Sequence, residues 1–385
     1  MKTRRQAFQA AAFAPYLIPH ITLAAIAMAS FAVGYRAYQY ACIGWVFVVV
    51  LDSLIVADGP RWRRLIEVAE DGAAWKALLY ATVPLYFVFL LGGFMVADHA
   101  QNIHEFVLAV AVVGSAGAIF AIPVAHELMH GGRPFDRWTA VVLMTAFSYP
   151  HFCIEHTSGH HRDVGTALDP ATARRGDGFY TFFPRTVSCS LINAWFAEAA
   201  RLQRRGDAIV GPRNRLLQYA VLLSVIYGAI GLTAGAKGLL FFAAQGIVAF
   251  SILEAINYIQ HYGLSRARAG TNEYESIRRI HSWDSYHLLS NWCLFNLPQH
   301  AKHHVFDTAG QRDADPSDKA PRLPLGYFAL LWLALIPPLW RSVMDPRVET
   351  WRLEQERPAS KQRQEQSASQ EAERFLAVSR IGGLK

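Results

Sequence analysis

"EFVLAVAVVGSAGAIFAIPVAHELMHGGRP", residues 105 to 134, runs an apolar stretch of membrane length straight into a pair of histidines. Residues 105–125 supply about the ~20 residues needed to cross ~30 Å of hydrocarbon. A backbone in lipid must satisfy its own hydrogen bonds, so the stretch is expected to be a helix. His126, Glu127 and His130 then fit H-E-x-x-H, in which positions four apart share one helical face and can grip one cation. Zinc proteases use this spacing, and two polar residues at the wet end of a helix also produce it. The motif alone decides neither the metal nor the reaction.

Five more apolar stretches have similar length. Of the 385 residues 52% are hydrophobic, and they are bunched into runs at 14–34, 39–57, 75–97, 105–125, 216–234 and 238–258. The expectation is an all-α integral membrane protein with six transmembrane helices. "MKTRRQAFQ" before the first run resembles a secretory leader, but the run exceeds a signal peptide's core and another follows at once, which reads as an uncleaved anchor.

The net charge of +7 is explained by topology once the basic residues are placed. Lys2, Arg4 and Arg5 precede the first run, and Arg61, Arg63, Arg64 and Lys76 lie between the second and third. Arg162, Arg174, Arg175, Arg185, Arg201, Arg204, Arg205, Arg213 and Arg215 fill the segment before the fifth, whereas the opposite loops offer Arg36 and Lys237. Positive residues stay on the cytoplasmic side, so the N-terminus and a cap of residues 126–215 and 259–350 are expected there, at the inner membrane. The charge also suits anionic lipid contact, and a nucleic-acid role has no support. Residues 1–350 read as one membrane-embedded domain, and the polar stretch 351–385 as a flexible tail.

Four crossings return the chain to its starting side at HELMH. The next apolar piece, 138–152, is short for a crossing and reads as a re-entrant or interfacial helix. "EHTSGHH" at 155–161 follows, with His156 and His160 at the i, i+4 spacing and His161 adjacent. The last two runs go out and back around "TAGAKG" and deliver His261 in "NYIQHYG" at 257–263. "LPQHAKHH" at 297–304 adds His300, His303 and His304, with Pro298 placed for the first turn of a helix.

Nine of the fifteen histidines thus fall in four clusters expected at one membrane face. A catalytic zinc takes three protein ligands and an open position, so nine imidazoles overfill one such site. They suit two metal ions with four or five histidines each, and neutral imidazole accepts iron, copper or zinc. His20, His99, His104, His151, His281 and His287 lack such spacing and read as ordinary structural histidines.

HELMH, EHTSGHH, NYIQHYG and LPQHAKHH, in this order and with these intervening runs, resemble the histidine boxes of the membrane alkane monooxygenases, the alkane 1-hydroxylase family. The likeness extends from about residue 10 to about residue 350, through "PHFCIEHTSGHHRDVGTALDPATAR" at 150–174, "HSWDS" at 281–285 and "LPLGYFALLWLALIPPLWRSVMDPRV" at 323–348. Aromatic-methyl hydroxylases are similar too. Membrane fatty acid desaturases and hydroxylases are more distant and lack the NYxxHYG element.

The resemblance implies a six-helix protein with a non-haem centre of two iron ions. It would hydroxylate terminal methyl groups of n-alkanes to primary alcohols with dioxygen, using electrons from rubredoxin that is itself served by rubredoxin reductase. It implies as ligands His126 and His130 from the first box, His156, His160 and His161 from the second, His261 from NYIQHYG, and His300, His303 and His304 from the last. Three positions depart from the family pattern without removing a ligand. Gly131 stands where a basic residue is usual, Lys302 where an acidic one is usual, and Gln260 where Glu is frequent. These positions bear on the tuning of the imidazoles and on docking of the electron donor.

The chemistry is consistent with a membrane setting. An unactivated methyl group has no acidic proton and no dipole, so acid–base side chains alone are of no use and the difficult step belongs to a cofactor. Four carboxylates are candidates to hold ligand imidazoles: Glu254, an ionisable residue near the end of the last run, Asp169 beyond the second box, and Glu127 and Glu155 beside ligand histidines. Asp52 reads as marking the end of the second run. Cys42, Cys153, Cys189 and Cys293 are scattered without a C-x-x-C pair, so the chain carries no iron–sulfur or rubredoxin module of its own and electrons must come from another protein. Two readings of other classes compete. An intramembrane zinc protease built on HELMH would leave the other clustered histidines idle, and a metal transporter would string its histidines along a path through the spans.

Overall fold

The computed structural model describes residues 12–57, 65–66, 69–70, 73–270, 273–309 and 319–355. The basic residues expected at the N-terminus, Arg61, Arg63 and Arg64, and the tail from residue 356 lie outside the described residues. The fold is mostly helical, and among the described residues pairing between extended segments is limited to isolated bridges such as Asp284 with Gln299 and with Arg322.

Five helices are long and apolar enough to cross a membrane. They are α1 (Ala14–Val33), α2 (Tyr35–Leu54), α3 (Ala73–Asp98), α4 (Ile103–Met129) and a fifth, Arg215–His261, of 47 residues. The fifth is two helices joined end to end, because Gly235 takes a φ of 63° and a ψ of −162° inside it. The rings of Tyr227 and Phe242 lie 5.2 Å apart across this break, although fifteen residues of continuous helix would separate them by about 22 Å. The chain therefore folds back on itself, giving α8 (215–234) and α9 (236–261). The TAGAKG turn falls at this hairpin, as its composition predicts.

Local chemistry fixes the ends. Gly34, with a φ of 61°, separates α1 from α2. The Asn102 side chain accepts from the Glu105 backbone N–H at 3.1 Å while Glu105 Oε2 accepts from Gln101 N–H at 2.9 Å, closing the start of α4. The Asn214 side chain accepts from Leu216 and Leu217 and opens α8. Inside the bundle, small residues let backbones approach: a Cβ on Gly246 would stand 2.9 Å from the Phe147 carbonyl oxygen. The buried Gln245 amide donates to the Ala146 carbonyl at 2.7 Å, so its N–H group is not left unsatisfied among apolar neighbours. The outer faces carry exposed Ile21, Met28, Phe47, Leu54 and Val107, with Leu232 91% exposed. Such a surface is stable only against an apolar solvent, and the chain is a multi-pass membrane protein.

Several expected boundaries move. Helix α4 does not stop at 125 but carries HELM within it, and α9 runs three residues past 258 to include His261. The piece expected as a helix over 138–152 is α5 (Pro134–Thr145), which starts at the proline and at about 18 Å is too short to cross. Helix α6 (152–163) carries the second box, and α7 (Phe179–Arg204) crosses the polar segment with Glu198 tied to both Arg201 and Arg215. Short helices α10 (Leu288–Cys293), α11 (His300–Ala309) and α12 (Tyr327–Ala334) complete the unit that ends at Pro337. Pro298 lies in the turn before α11 rather than in its first turn. The start of α11 is set instead by Asp284, whose Oδ1 accepts from Ala301 N–H at 2.9 Å. Residues 338–355, a separate unit by contacts, are helical.

Candidate metal centre

All nine histidines of the four motifs come together, and they divide into two groups. His126, His130, His156, His161 and His303 form one, and His160, His261, His300 and His304 the other; within each group, one ligand atom per residue lies within 4.8 Å of every other. The groups abut, with the rings of His161 and His304 4.5 Å apart and those of His126 and His300 6.3 Å apart. Among the described residues no other group of three or more His, Cys, Asp or Glu side chains converges in this way.

Helix geometry deals the residues between the groups. His126 and His130 project from the end of α4, just past a π-helical turn at Gly117–Ala121. A second π turn, His156–His160, interrupts α6. The sequence pairs His156 with His160 at the α-helical spacing, and the structure corrects this. The wider turn brings His156 Nε2 to 3.1 Å from His161 Nε2 and sends His160 to the other group. Such one-residue insertions are frequent at functional sites. On α11, His300 and His304 keep the i, i+4 relation at 2.9 Å between Nε2 atoms, while His303 turns to the first group, 3.1 Å from His161 Nε2.

The donor set fits metal ions. His300 Nε2 is 3.1 Å from His261 Nε2 and 2.9 Å from His304 Nε2. Three such nitrogens cannot all be satisfied by one another, since a neutral ring has one N–H and one lone pair. Nitrogens at about 2.1 Å from a shared ion and at right angles across it stand about 3.0 Å apart, which matches these separations. Burial first, and then the neighbouring imidazoles, hold the His156, His300, His303 and His304 rings well below the usual histidine range. They stand neutral, the form that binds metal.

Of the four candidate carboxylates, Asp169 alone touches a clustered imidazole by a hydrogen bond. Its Oδ2 lies 2.9 Å from His160 Nδ1 and accepts from Thr172 Oγ1 at 2.6 Å, and its Oδ1 accepts from Ala171 N–H. Burial pushes the Asp169 carboxyl up, but His160 and these hydrogen bonds outweigh it and keep the group below the usual range. An ionised Asp169 requires the N–H of His160 at Nδ1, which leaves the lone pair on Nε2; that atom is buried without a hydrogen-bond partner among the described residues.

The other three do different work. Glu254 lies about 10 Å along α9 from His261 and is held by Tyr149, Thr186 and Asn257 at 3.0, 3.0 and 3.1 Å, not by an imidazole. Glu127 is 3.8 Å from His126 Nδ1, beyond hydrogen-bond reach, and among the described residues Glu155 makes no hydrogen bond or ion pair with a histidine. Adjacent helical residues do not face one another, so sequence neighbours of ligands are poorly placed to hold them. Burial, then the Asp169 and Glu254 carboxylates, raise Glu155 well above the usual carboxylate range. Asp284 was not legible from spacing: it lies 17 residues from the Ala301 N–H it caps at the head of α11. Asp52, read as an end marker, accepts from Ser290 N–H at 2.8 Å and so anchors α10.

The departures from pattern have local explanations. A Cβ on Gly131 would stand 2.4 Å from Asp136 Cβ. Gln260 is clamped between Trp283, whose N–H donates to its carbonyl, and the Leu297 carbonyl. Lys302 Nζ is 3.3 Å from Glu70 Oε2 at a cavity of about 400 Å³ that reaches His126, His130 and His303. The remaining histidines stay outside the groups, as their spacing predicts: His281 pairs with Glu275, His287 with Ser285, and His20 with Thr82.

The fatty acid desaturase family model matches residues 104–311. The chain is 36% identical to an alkane 1-monooxygenase of Pseudomonas putida, over 78% of this chain and 75% of that protein. It is also 36% identical to alkane 1-monooxygenase 1 of Alcanivorax borkumensis, over 82% and 78% of the two chains. A xylene/toluene monooxygenase hydroxylase component of Pseudomonas putida is 32% identical over 60% of this chain and 61% of its own length.

Proposed function

The chain belongs to the alkane 1-monooxygenase family, within the wider fatty acid desaturase family, and from that premise we propose that it hydroxylates the terminal methyl group of n-alkanes to primary alcohols. The observation that carries this reading is the convergence of nine imidazoles into two abutting groups at one end of an apolar bundle. We assign one iron ion to each group, with His126, His130, His156, His161 and His303 around one and His160, His261, His300 and His304 around the other. Bound iron would supply the activation of dioxygen that an unactivated C–H bond requires. The overall reaction takes the alkane, dioxygen, two electrons and two protons to the alcohol and water. Rubredoxin, kept reduced by rubredoxin reductase, is proposed as the electron source, since all four cysteines are free and none joins a cluster of its own.

The residues of this chain hold, orient and exclude. Asp169 fixes the His160 ring, Asp284 sets the helix that carries His300, His303 and His304, and burial of seven of the nine rings keeps bulk water from the donors. The placement of basic residues favours six crossings, with the N-terminus and the histidine groups on the cytoplasmic side of the inner membrane and residues 1–350 as one domain. An alkyl substrate dissolved in the bilayer would then reach the groups from the apolar side.

An aromatic-methyl substrate is the second reading, favoured by the similarity to the xylene/toluene enzyme. Fatty acid hydroxylation or desaturation is a more distant one. Cells expressing the chain, given octane, hexadecane and a xylene beside a His160→Ala control, distinguish them. Oxygen-dependent 1-octanol or 1-hexadecanol in the parent and none in the variant is the expected result; equal product from both contradicts the assignment.

A further inference from the structure

Outside the histidine groups, α3 and α5 enclose a groove of about 350 Å³. Tyr80, Val83 and Pro84 line it from α3, and Phe135, Trp138 and Val142 from α5. The α5 residues stand at i, i+3 and i+7, one face of a helix, and all three are exposed. Tyr80 to Pro84 lie seven to eleven residues into α3, about 10–16 Å along its axis, which is the depth of one leaflet's hydrocarbon, about half of ~30 Å.

The mouth of the groove is cationic. Lys76 lies one turn before Tyr80, with Nζ 3.9 Å from Asp136 Oδ2, while the Tyr80 hydroxyl donates to Asp136 Oδ1. Arg133 immediately precedes α5 and is exposed, and its side chain makes no hydrogen bond or ion pair among the described residues. Arg137 donates to the carbonyls of Gly131 and Gly132 at 3.0 and 3.3 Å. Among the described residues Lys76 alone pairs with the buried Asp136 carboxylate, and neither Arg133 nor Arg137 has a carboxylate partner, so the corner beside the apolar slot is net positive.

We propose that this groove binds an anionic phospholipid, one acyl chain against Trp138 and Val142 and the phosphate between Lys76 and Arg133. A plain alkyl chain would fill the slot but leave the net positive charge unanswered, and a zwitterionic headgroup would answer it less well. The site is built on the corner that carries His130, since Asp136 packs over Gly131 and Arg137 ties down the same turn. The inference rests on the membrane reading alone and stands or falls separately from the oxygenase reading.

Native mass spectrometry of the purified full chain, loaded with phosphatidylglycerol or phosphatidylcholine of identical acyl chains, tests it. At about 1 kcal/mol for each basic residue, the parent retains phosphatidylglycerol over phosphatidylcholine by roughly twenty- to thirty-fold. Lys76→Gln with Arg133→Gln brings the two lipids to near parity, and Val142→Trp, which fills the slot, loses both; circular dichroism confirms that each variant keeps its helices. Parity in the parent, an unchanged preference in the double variant, or full retention in Val142→Trp would overturn the proposal. Displacement of phosphatidylglycerol by equimolar hexadecane would also overturn it, giving the groove to an alkyl substrate instead.

Discussion

Asp169 Oδ2 stands 2.9 Å from His160 Nδ1, and this contact settles which nitrogen of the ring faces its three neighbours. Asp169→Asn keeps the shape but removes the charge and can present an N–H to the ring, favouring the wrong tautomer. The variant is expected to lose metal affinity or activity by about 10- to 100-fold. Iron content after dialysis against graded chelator measures it, and wild-type retention would remove Asp169 from the site.

The π turn at His156–His160 gives a prediction that the linear motif does not. His156 and His161 belong to one group and His160 to the other. His156→Ala and His161→Ala should therefore deplete the same iron, and the double variant should keep the iron of the second group. His160→Ala should deplete that second iron. Metal stoichiometry of the four variants checks this, and a His156→Ala/His161→Ala double variant that holds no iron while each single holds one would contradict the division.

Asp284 governs the pose of three imidazoles through one backbone contact to Ala301. Removing a capping acceptor costs about 1 kcal/mol, up to about 2. Asp284→Ala should lower the apparent melting temperature and loosen iron together, whereas Asp284→Asn, which retains an acceptor oxygen, should recover most of both. Loss of stability with iron retention unchanged would assign Asp284 to folding only.

Glu198 supplies a pH dependence remote from the metals. Burial pushes its carboxyl up, but hydrogen bonds from Arg201 and Arg215 outweigh that and hold it at about 2, below its ordinary 4.5. A lowered carboxyl contributes stability that is complete above the ordinary value and is lost as pH falls toward the folded one. Glu198→Gln should cost roughly 1–3 kcal/mol near neutrality, and its difference from the parent should shrink between about pH 4.5 and about pH 2. Unfolding followed across that range checks the sign.

Much of this was legible in the sequence for identifiable reasons. Apolar runs announce helices because lipid offers no alternative partner for the backbone, and the break at Gly235 falls where TAGAKG interrupts the run. The nine histidines were legible because helical spacing is a local property. The division between groups was not, because the π turn at His156–His160 departs from the regular helical spacing on which the linear motif is read. Nor was Glu254's part legible: two turns of helix separate it from His261, and its partners Tyr149 and Thr186 come from elsewhere in the chain.

The central claim is that two histidine groups each hold an iron ion. Metal analysis with Mössbauer spectroscopy on the purified, iron-57-loaded chain tests it most directly. Two irons per chain with nitrogen-rich coordination is the expected result. One zinc per chain and no iron would contradict it.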